Sequence, residues 1–416
     1  MGKSFSTFGH PLLPFLYSEQ DYSPMGKVFR FMHCADLHLG ARFKGLGQDN
    51  GEMAERMRKS VMESFERIID ISIDRSIDAL VISGDVYDDS NELPSTRAWF
   101  SNQLDRLDVP VYICRGNHDS ATSWDGAIAY PENVHEFGTE PEKIEITDGV
   151  EIVGISYSTS HETRNLASML EGSGDKFTIA CIHCDLDSVS EGYPYAPCKM
   201  SDLIGKSVDY WALGHIHKRE IVSTCPYVVY PGNIQGRSFK ETGQKGAYLV
   251  TVSEGRVSSL DFIPTSKYRW EDLSVDITGK NLNEIIKDLS GKVDRSTVCR
   301  LTFVGSGDLD TMLRTKTSDV SSAISSSTGC TISSIKLNTI SSIDLESRSD
   351  GKDMAAAIVR SGNKIMSMTK EQIVDIICQN RNAAKYRDIY MSMTEEEIRS
   401  IVSDSMRSII AKMEVV

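Results

Sequence analysis

A chain of 416 residues, 40% hydrophobic and 25% charged, has an ordinary globular composition and exceeds one average domain, so two or three folding units are expected. Its formal net charge of -14 argues against a general polyanion-binding surface, because such surfaces rest on Lys and Arg that neutralise phosphates. No apolar run reaches the roughly 18 residues of a spanning helix, and no membrane association is expected.

Residues 1–25 read as a tail. Pro11-Leu-Leu-Pro-Phe-Leu-Tyr17 is too short and too broken by proline for a secretory apolar core, and Glu19 and Asp21 follow it without a small-residue cleavage pattern. Met1-Gly-Lys-Ser-Phe-Ser6 formally fits a myristoylation pattern, and Met25 is an alternative start for the first domain. Nine cysteines, an odd number, sit mostly in strand-like runs such as those around Cys34, Cys114 and Cys181. There cysteine acts as a small hydrophobe in a reducing compartment, so a cytoplasmic location is expected. Cys181-Ile-His-Cys184 has C-x-x-C spacing without a second pair, which favours inert thiols over zinc or redox chemistry.

The strand-like run Val28–Met32 leads into Asp36-Leu-His38. Met53, Met57, Val61, Phe65, Ile68 and Ile69 then recur at helical spacing, and Ala79–Ile82 leads into Gly84-Asp85. A helix over Ser95–Leu107 precedes the strand Val109–Ile113 and Gly116-Asn117-His118-Asp119, so this part reads as successive βαβ units. Beyond Glu140 the strands crowd together: Lys143–Ile146, Val150–Ser156, Phe177–His183, Tyr227–Tyr230, Ala247–Val252 and Ser258–Ile263. That spacing predicts a sandwich of two sheets covered by helices. His183 ends one of these strands, and Gly214-His215-Ile-His217 follows the apolar Tyr210–Leu213.

Each polar motif thus follows or ends a strand-like run, and donors at the carboxyl ends of strands in an open sheet meet in one crevice. Together they supply the mixed oxygen and imidazole donors, with a carboxylate able to bridge, that a binuclear metal site requires. His33, His135 and His161 lack such a setting and read as core or surface residues; Asp185, Asp187 and Asp202 read as loop carboxylates. Arg42, Lys44, Arg115, Lys218, Arg219, Arg237, Lys240 and Lys245 lie near the motifs in sequence, with solvated surface the plain reading for most.

The series D-x-H, G-D, G-N-H-[DE], H and G-H-x-H, in this order, resembles the calcineurin-like metallophosphoesterase superfamily. Within it, Cys34-Ala-Asp-Leu-His-Leu39, Gly84-Asp-Val-Tyr-Asp88, Tyr210-Trp-Ala-Leu-Gly-His-Ile-His217 and Tyr230-Pro-Gly-Asn-Ile-Gln-Gly236 resemble the SbcD-type DNA repair exonucleases. The motifs cover residues 26 to 265; beyond them the likeness rests on the order of elements. It implies an α/β fold, a four-layered α/β/β/α metallophosphoesterase sandwich with a small α+β capping domain and a C-terminal helical segment. It further implies a metal-dependent DNA nuclease acting in repair, a homodimer, and an SMC-like coiled-coil ATPase of the SbcC type as partner.

By that pattern Asp36, His38, Asp85 and His217 hold one divalent ion and Asp85, Asn117, His183 and His215 a second, with Asp85 as the bridge and Mn²⁺ as the metal. A water activated between the two ions attacks phosphorus, His118 serves the leaving oxygen, and Asp119 orients an imidazole. One departure concerns Asp88, where several members carry histidine linked to exonuclease action. Two other readings share these motifs. A phosphoprotein phosphatase typically has Gly-Asn-His-Glu and an arginine after the second motif, where this chain has Asp119 and Asp88-Asp89. A small-molecule or cyclic-nucleotide phosphodiesterase leaves the residues beyond the catalytic part unexplained. A non-catalytic scaffold is disfavoured by the intact donor set.

The expected division is a catalytic domain at 26–264, a capping domain at 265–340, a serine-rich linker at 341–352 and helices at 353–416. In the cap, strands Leu273–Ile277, Thr297–Val304 and Thr331–Leu337 alternate with helices Leu282–Leu289 and Leu309–Ile324. Helix starts are marked by Thr369-Lys-Glu-Gln372 and Thr394-Glu-Glu-Glu397. In the last helix Ile398, Ile401, Val402, Met406, Ile409, Ile410 and Met413 form one apolar stripe, which packs on its own domain or docks on a partner's coiled coil.

Overall fold

The structure is a computed structural model and describes residues 28–41, 51–88, 93–121, 129–187, 195–341 and 345–414. The tail, Arg42, Lys44, Asp89 and part of the linker lie outside these residues.

The strands of the first part are β1 (Phe29–Cys34), β2 (Ala79–Ser83), β3 (Val111–Cys114), β4 (Val134–Glu136), β5 (Glu142–Thr147), β6 (Val150–Gly154) and β7 (Phe177–His183). There follow the short pair β8 (Asp185–Leu186) and β9 (Pro197–Cys198), then β10 (Tyr210–Gly214), β11 (Glu220–Thr224), β12 (Tyr227–Tyr230), β13 (Gly246–Ser253) and β14 (Arg256–Pro264). They form two six-stranded sheets of order β14-β13-β1-β2-β3-β4 and β11-β12-β10-β7-β6-β5. In each sheet four consecutive strands run parallel, β1 to β4 in one and β12, β10, β7 and β6 in the other. Antiparallel strands close the remaining edges.

Period-two alternation sorts the side chains into layers. Phe29 and Phe31 of β1, Ile179 and Cys181 of β7, and Tyr210 and Ala212 of β10 meet between the sheets. Met32 and Cys34 turn the other way, against Val61, Phe65, Ile68 and Ile69 of helix α1 (Gly51–Asp74) and Phe100 and Leu104 of helix α2 (Pro94–Leu104). Ala180, Ile182, Trp211 and Leu213 likewise face Leu166 and Leu170, and Leu203 of the short helix α3 (Met200–Leu203), on the outside of the second sheet. The result is the four-layered α/β/β/α sandwich. Met57 departs from the rest of its helical stripe: it packs with Trp270 and Val298 of the third sheet.

That third sheet has the order β15 (Arg269–Asp276), β16 (Thr297–Ser306), β17 (Thr331–Ile340), all parallel. Helix α4 (Leu282–Ser290) links the first two strands, and α5 (Leu309–Thr315) and α6 (Thr317–Thr328) link the last two. The single helix expected over Leu309–Ile324 is broken at Lys316, with φ -132° and ψ 39°. Thr315 Oγ1 donates to the Thr311 carbonyl at 2.7 Å and Thr317 Oγ1 to that of Leu313, the kind of back-bonding that bends helices.

Both helix-start signals appear as reciprocal caps, Thr369 with Gln372 and Thr394 with Glu397. The terminal stripe divides. Ile398, Val402 and Met406 are buried against Ile373 and Val374, and Ile410 against Ala355 and Val359, while Ile409 and Met413 stay exposed.

Candidate metal centre

The motif residues converge at the carboxyl ends of β1, β2, β3, β7 and β10. Four of them leave their strands in the left-handed region: Asp36 (φ 52°), His38 (48°), Asp85 (50°) and His215 (103°), conformations that non-glycine residues adopt at a cost of order 1 kcal/mol or more. Main-chain bonds hold the first two, from Asp36 N to the Gly84 carbonyl at 3.1 Å and from His38 N to that of Asp85 at 2.9 Å. Two motif glycines are explained by close approach. A Cβ on Gly116 would lie 2.2 Å from Asp85 Oδ1, and one on Gly214 would lie 1.7 Å from the Ser83 carbonyl oxygen, where the two sheets meet.

Asp36, His38 and His217 bring ligand atoms within 4.8 Å of one another, as do Asp36, Asp85 and His183. Asp85 lies centrally: Oδ2 is 3.7 Å from His38 Nε2 and 3.5 Å from His183 Nε2, and Oδ1 accepts the His118 amide at 3.0 Å. Asn117 Oδ1 faces His183 Nε2 at 3.2 Å and His215 Nδ1 at 3.3 Å. All seven expected ligands are therefore gathered in one place.

The imidazoles are backed from behind. His183 Nδ1 lies 3.0 Å from the Ser83 carbonyl, His217 Nδ1 lies 2.7 Å from Glu241 Oε1, and His38 Nδ1 has Asp88 Oδ1 as its neighbour at 3.2 Å. Holding the proton on Nδ1 leaves the Nε2 lone pair free to ligate. His38 Nε2 and His217 Nε2 then face each other at 3.0 Å. Two imidazole nitrogens turned toward each other beside the Asp36 and Asp85 carboxylates are the mixed donors a divalent cation takes, so the donor set fits a bound metal. Two carboxylates against two divalent ions also leave a net positive centre, suited to an anionic phosphate.

The electrostatics of the ligands divide: burial acts to lower His217, but its hydrogen bond to Glu241 and the Asp36 charge outweigh it and raise His217, so a metal would displace a proton there. Burial pushes the Asp36 carboxyl up; burial acts the same way on Asp85, but His183, His38 and His118 outweigh it and hold that carboxyl at about 2. Burial lowers His38 well below its ordinary value and His215 to about 3, keeping both neutral and able to ligate.

His118 is set apart. Its Nδ1 contacts the Asp88 carbonyl and its ring lies edge-on to His38, with centroids 4.8 Å apart. Asp119 differs from expectation. Its oxygens accept the amides of Gly116 at 2.8 Å and Val86 at 2.7 Å, so this buried carboxylate ties the second motif's loop to the third and orients main chain, not an imidazole.

Two further groups depart from the solvated reading of their neighbourhood. Lys245 is buried and donates to the His217 carbonyl at 2.8 Å, and Arg237 reaches Asp88 Oδ1 at 2.9 Å. Glu241 escaped sequence reasoning altogether, since one glutamate in a polar loop carries no periodic or spacing signal. His33 is buried between the sheets, whereas His135 pairs with Glu142 at the surface. Cys181 and Cys184 are buried and free.

Residues 29–219 match the family described as calcineurin-like phosphoesterase. The chain is 36% identical over 293 residues to the uncharacterized metallophosphoesterase YhaO of Bacillus subtilis, covering 66% of this chain and 71% of that protein. It is 26% identical over 286 residues to the DNA double-strand break repair protein Mre11 of Sulfurisphaera tokodaii, covering 64% and 70% respectively. The Mre11 of Saccharolobus solfataricus is 27% identical over 251 residues, covering 55% of this chain and 61% of its own length. With its gathered donors and these relatives, the chain belongs to the calcineurin-like metallophosphoesterases, a family of hydrolases with a dimetal site.

Proposed function

We propose that this protein is a metal-dependent DNA nuclease that hydrolyses phosphodiester bonds in DNA repair. The observation that carries the reading is the convergence of Asp36, His38, Asp85, Asn117, His183, His215 and His217 in a chain whose relatives include proteins named for double-strand break repair. Asp36, His38, Asp85 and His217 hold one ion and Asp85, Asn117, His183 and His215 the other, both Mn²⁺. Bound divalent ions supply Lewis acidity and lower the pKa of water toward neutrality. The residues do the rest. Asp85 spans both halves, Asn117 adds a neutral oxygen, and His118 Nε2 contacts the scissile phosphate and protonates the leaving oxygen.

The remaining assignments follow the same reading. Residues 26–264 are the catalytic domain, 265–340 cap the cleft and touch DNA, and 353–416 dock an SMC-like coiled-coil ATPase of the SbcC type. The exposed Ile409 and Met413 on the last helix support the docking role. The protein works as a homodimer in the cytoplasm, where its free cysteines remain reduced. A net charge of -14 leaves the ions and the partner to hold the DNA.

The test is Mn²⁺-dependent cleavage of end-labelled linear duplex and single-stranded DNA, with a small aryl phosphodiester in parallel and His118→Asn as control. DNA cleavage that disappears in the variant supports the proposal. Hydrolysis of the small ester alone, with the ATPase partner also present, overturns it in favour of a small-molecule phosphodiesterase.

A further inference from the structure

His38 and His217 are the two imidazoles whose Nε2 atoms meet at 3.0 Å; His217 Nδ1 is hydrogen-bonded to Glu241, His38 Nδ1 has the Asp88 carboxylate 3.2 Å away without a hydrogen bond, and His183 is backed by a main-chain carbonyl. One side chain joins the two carboxylates. Arg237 Nη1 donates to Asp88 Oδ1 at 2.9 Å, and Nη2 lies 3.5 Å from Glu241 Oε1 and 3.3 Å from His217 Nδ1. The guanidinium suits this task because it is planar and always charged, and its fork reaches two acceptors at once.

The group is partly buried, with side-chain exposures of 25% for Asp88, 23% for Arg237 and 12% for Glu241, and it is fastened at several points. Glu241 Oε2 accepts from Asn233 Nδ2 at 2.9 Å and from the Arg237 amide at 2.7 Å. The loop that carries them is anchored by buried Gln235. Its Oε1 accepts the Lys267 amide at 2.8 Å and its Nε2 donates to the Tyr268 carbonyl at 2.8 Å. Trp270 Nε1 adds a bond to the Gly236 carbonyl at 2.7 Å, so the start of the third sheet holds this loop in place.

We propose that Asp88, Arg237 and Glu241 form a clamp that positions His38 and His217, and through them sets the affinity of one of the two metal positions. Glu241 fixes the ring of His217 by its hydrogen bond, Asp88 sets a negative charge 3.2 Å from His38 Nδ1, and Arg237 keeps both carboxylates in register. These are positioning residues, without contact to the reacting atoms. The proposal rests on the metal-centre reading above, and its experiment separates the two.

Mn²⁺ is titrated into the metal-free full-length protein by calorimetry, with electron paramagnetic resonance on the same samples, for the wild type, Glu241→Gln, Glu241→Ala and Arg237→Met. The wild type is expected to take two ions and to show the spectrum of an exchange-coupled pair. In Glu241→Ala and Arg237→Met the affinity for one ion falls by about 10- to 100-fold, the range of outer-shell partners in metal sites, while the other ion binds as before. At one equivalent or more the coupled spectrum gives way to that of an isolated ion. Glu241→Gln, whose amide oxygen still accepts from His217 Nδ1, recovers part of the affinity and guards against a variant that fails to fold. A wild type that binds two ions together with variants that bind them equally well overturns the clamp alone, and so does an equal loss at both positions. A wild type that binds none overturns the metal centre and the clamp with it.

Discussion

The two halves of the metal centre are built by different means. On one side His183 lies within β7, its Nδ1 on the Ser83 carbonyl at the end of β2, so main chain from both sheets fixes the ring. On the other side His38 and His217 sit in loops beyond their strands, and the groups behind them are side chains: Glu241 accepts from His217 Nδ1, and the Asp88 carboxylate lies 3.2 Å from His38 Nδ1 without the geometry of a hydrogen bond. The His183 ligand is thus held by the sandwich core itself, although Asn117 and His215 of the same half lie just past strand ends. A half fixed by side chains is adjustable, because a single substitution changes the backing of a ligand without disturbing a strand. The central Asp85 touches both, its Oδ2 lying 3.7 Å from His38 Nε2 and 3.5 Å from His183 Nε2.

His118 stands on the seam, its amide on Asp85 and its Nδ1 on the Asp88 carbonyl. His118→Asn gives the largest effect expected here. It lowers kcat by about 10²- to 10⁴-fold, the range for loss of one proton-transfer group, while elemental analysis still finds both metals. Lost metal would instead make His118 a ligand and place it in one of the halves.

The sheet-built half is broken by crowding. Gly214 pairs with His183 across β10 and β7, and a Cβ there would lie 1.7 Å from the Ser83 carbonyl oxygen and 2.7 Å from His183 Nδ1. The Ser83 main chain cannot yield without parting the sheets, and the His183 ring is held on that same carbonyl. Gly214→Ala should cost about 3 kcal/mol in urea unfolding, the upper range for overpacking a core. An unchanged midpoint would mean that the sheets adjust freely and that this half is no stiffer than the other.

How legible this was in the sequence follows the same division. Asp36, Asp85, Asn117 and His183 could be found because each lies at or just past the end of an apolar strand, where periodicity marks the place and a resembled motif marks the residue. The layering was legible too, since β7 and β10 read as mostly apolar runs, broken in β7 only by Thr178 before its terminal His183, as strands covered on both faces do. Arg237 and Glu241 were not recognisable as part of the site, because their place depends on how one loop folds back over it. Met57 looked like its neighbours on α1, yet it serves a different cluster, and helical spacing alone does not say which partner a helix face meets.

A smaller effect measures how dry the sheet-built side is. His33 is buried between the sheets, with Nδ1 3.0 Å from the Tyr210 hydroxyl and Nε2 3.2 Å from Ser83 Oγ, and burial lowers its pKa to about 3. The folded protein therefore keeps His33 neutral, while the unfolded chain takes up a proton below about pH 6.5. This contribution is fully present above pH 6.5 and is lost as pH falls from there toward 3. At about pH 5 the loss is roughly 2 kcal/mol, from 1.36 kcal/mol per pH unit. His33→Gln should lose correspondingly less stability between pH 7 and 5 than the wild type. Equal losses in the two proteins would show that water reaches His33 and that the seam between the sheets is not dry.

The smallest effect belongs to the terminal helix, where the same contrast between fixed and free side chains runs along a single stripe. Ile410 is buried against Ala355 and Val359, and Met406 presses on Gly362 so closely that a Cβ there would lie 1.9 Å from its sulfur. Ile409, one residue from Ile410, is 48% exposed and Met413 is 41% exposed. Surface changes of this kind alter stability by less than about 0.5 kcal/mol, so Ile409→Ser with Met413→Ser should leave the unfolding midpoint where it was, while Ile410→Ala lowers stability by about 2 kcal/mol or more. The paired serine variant becomes informative in the presence of the coiled-coil ATPase. If these two side chains form the docking face, co-purification weakens although the fold is unchanged. If binding persists undiminished, the stripe is internal packing and the partner's surface lies elsewhere.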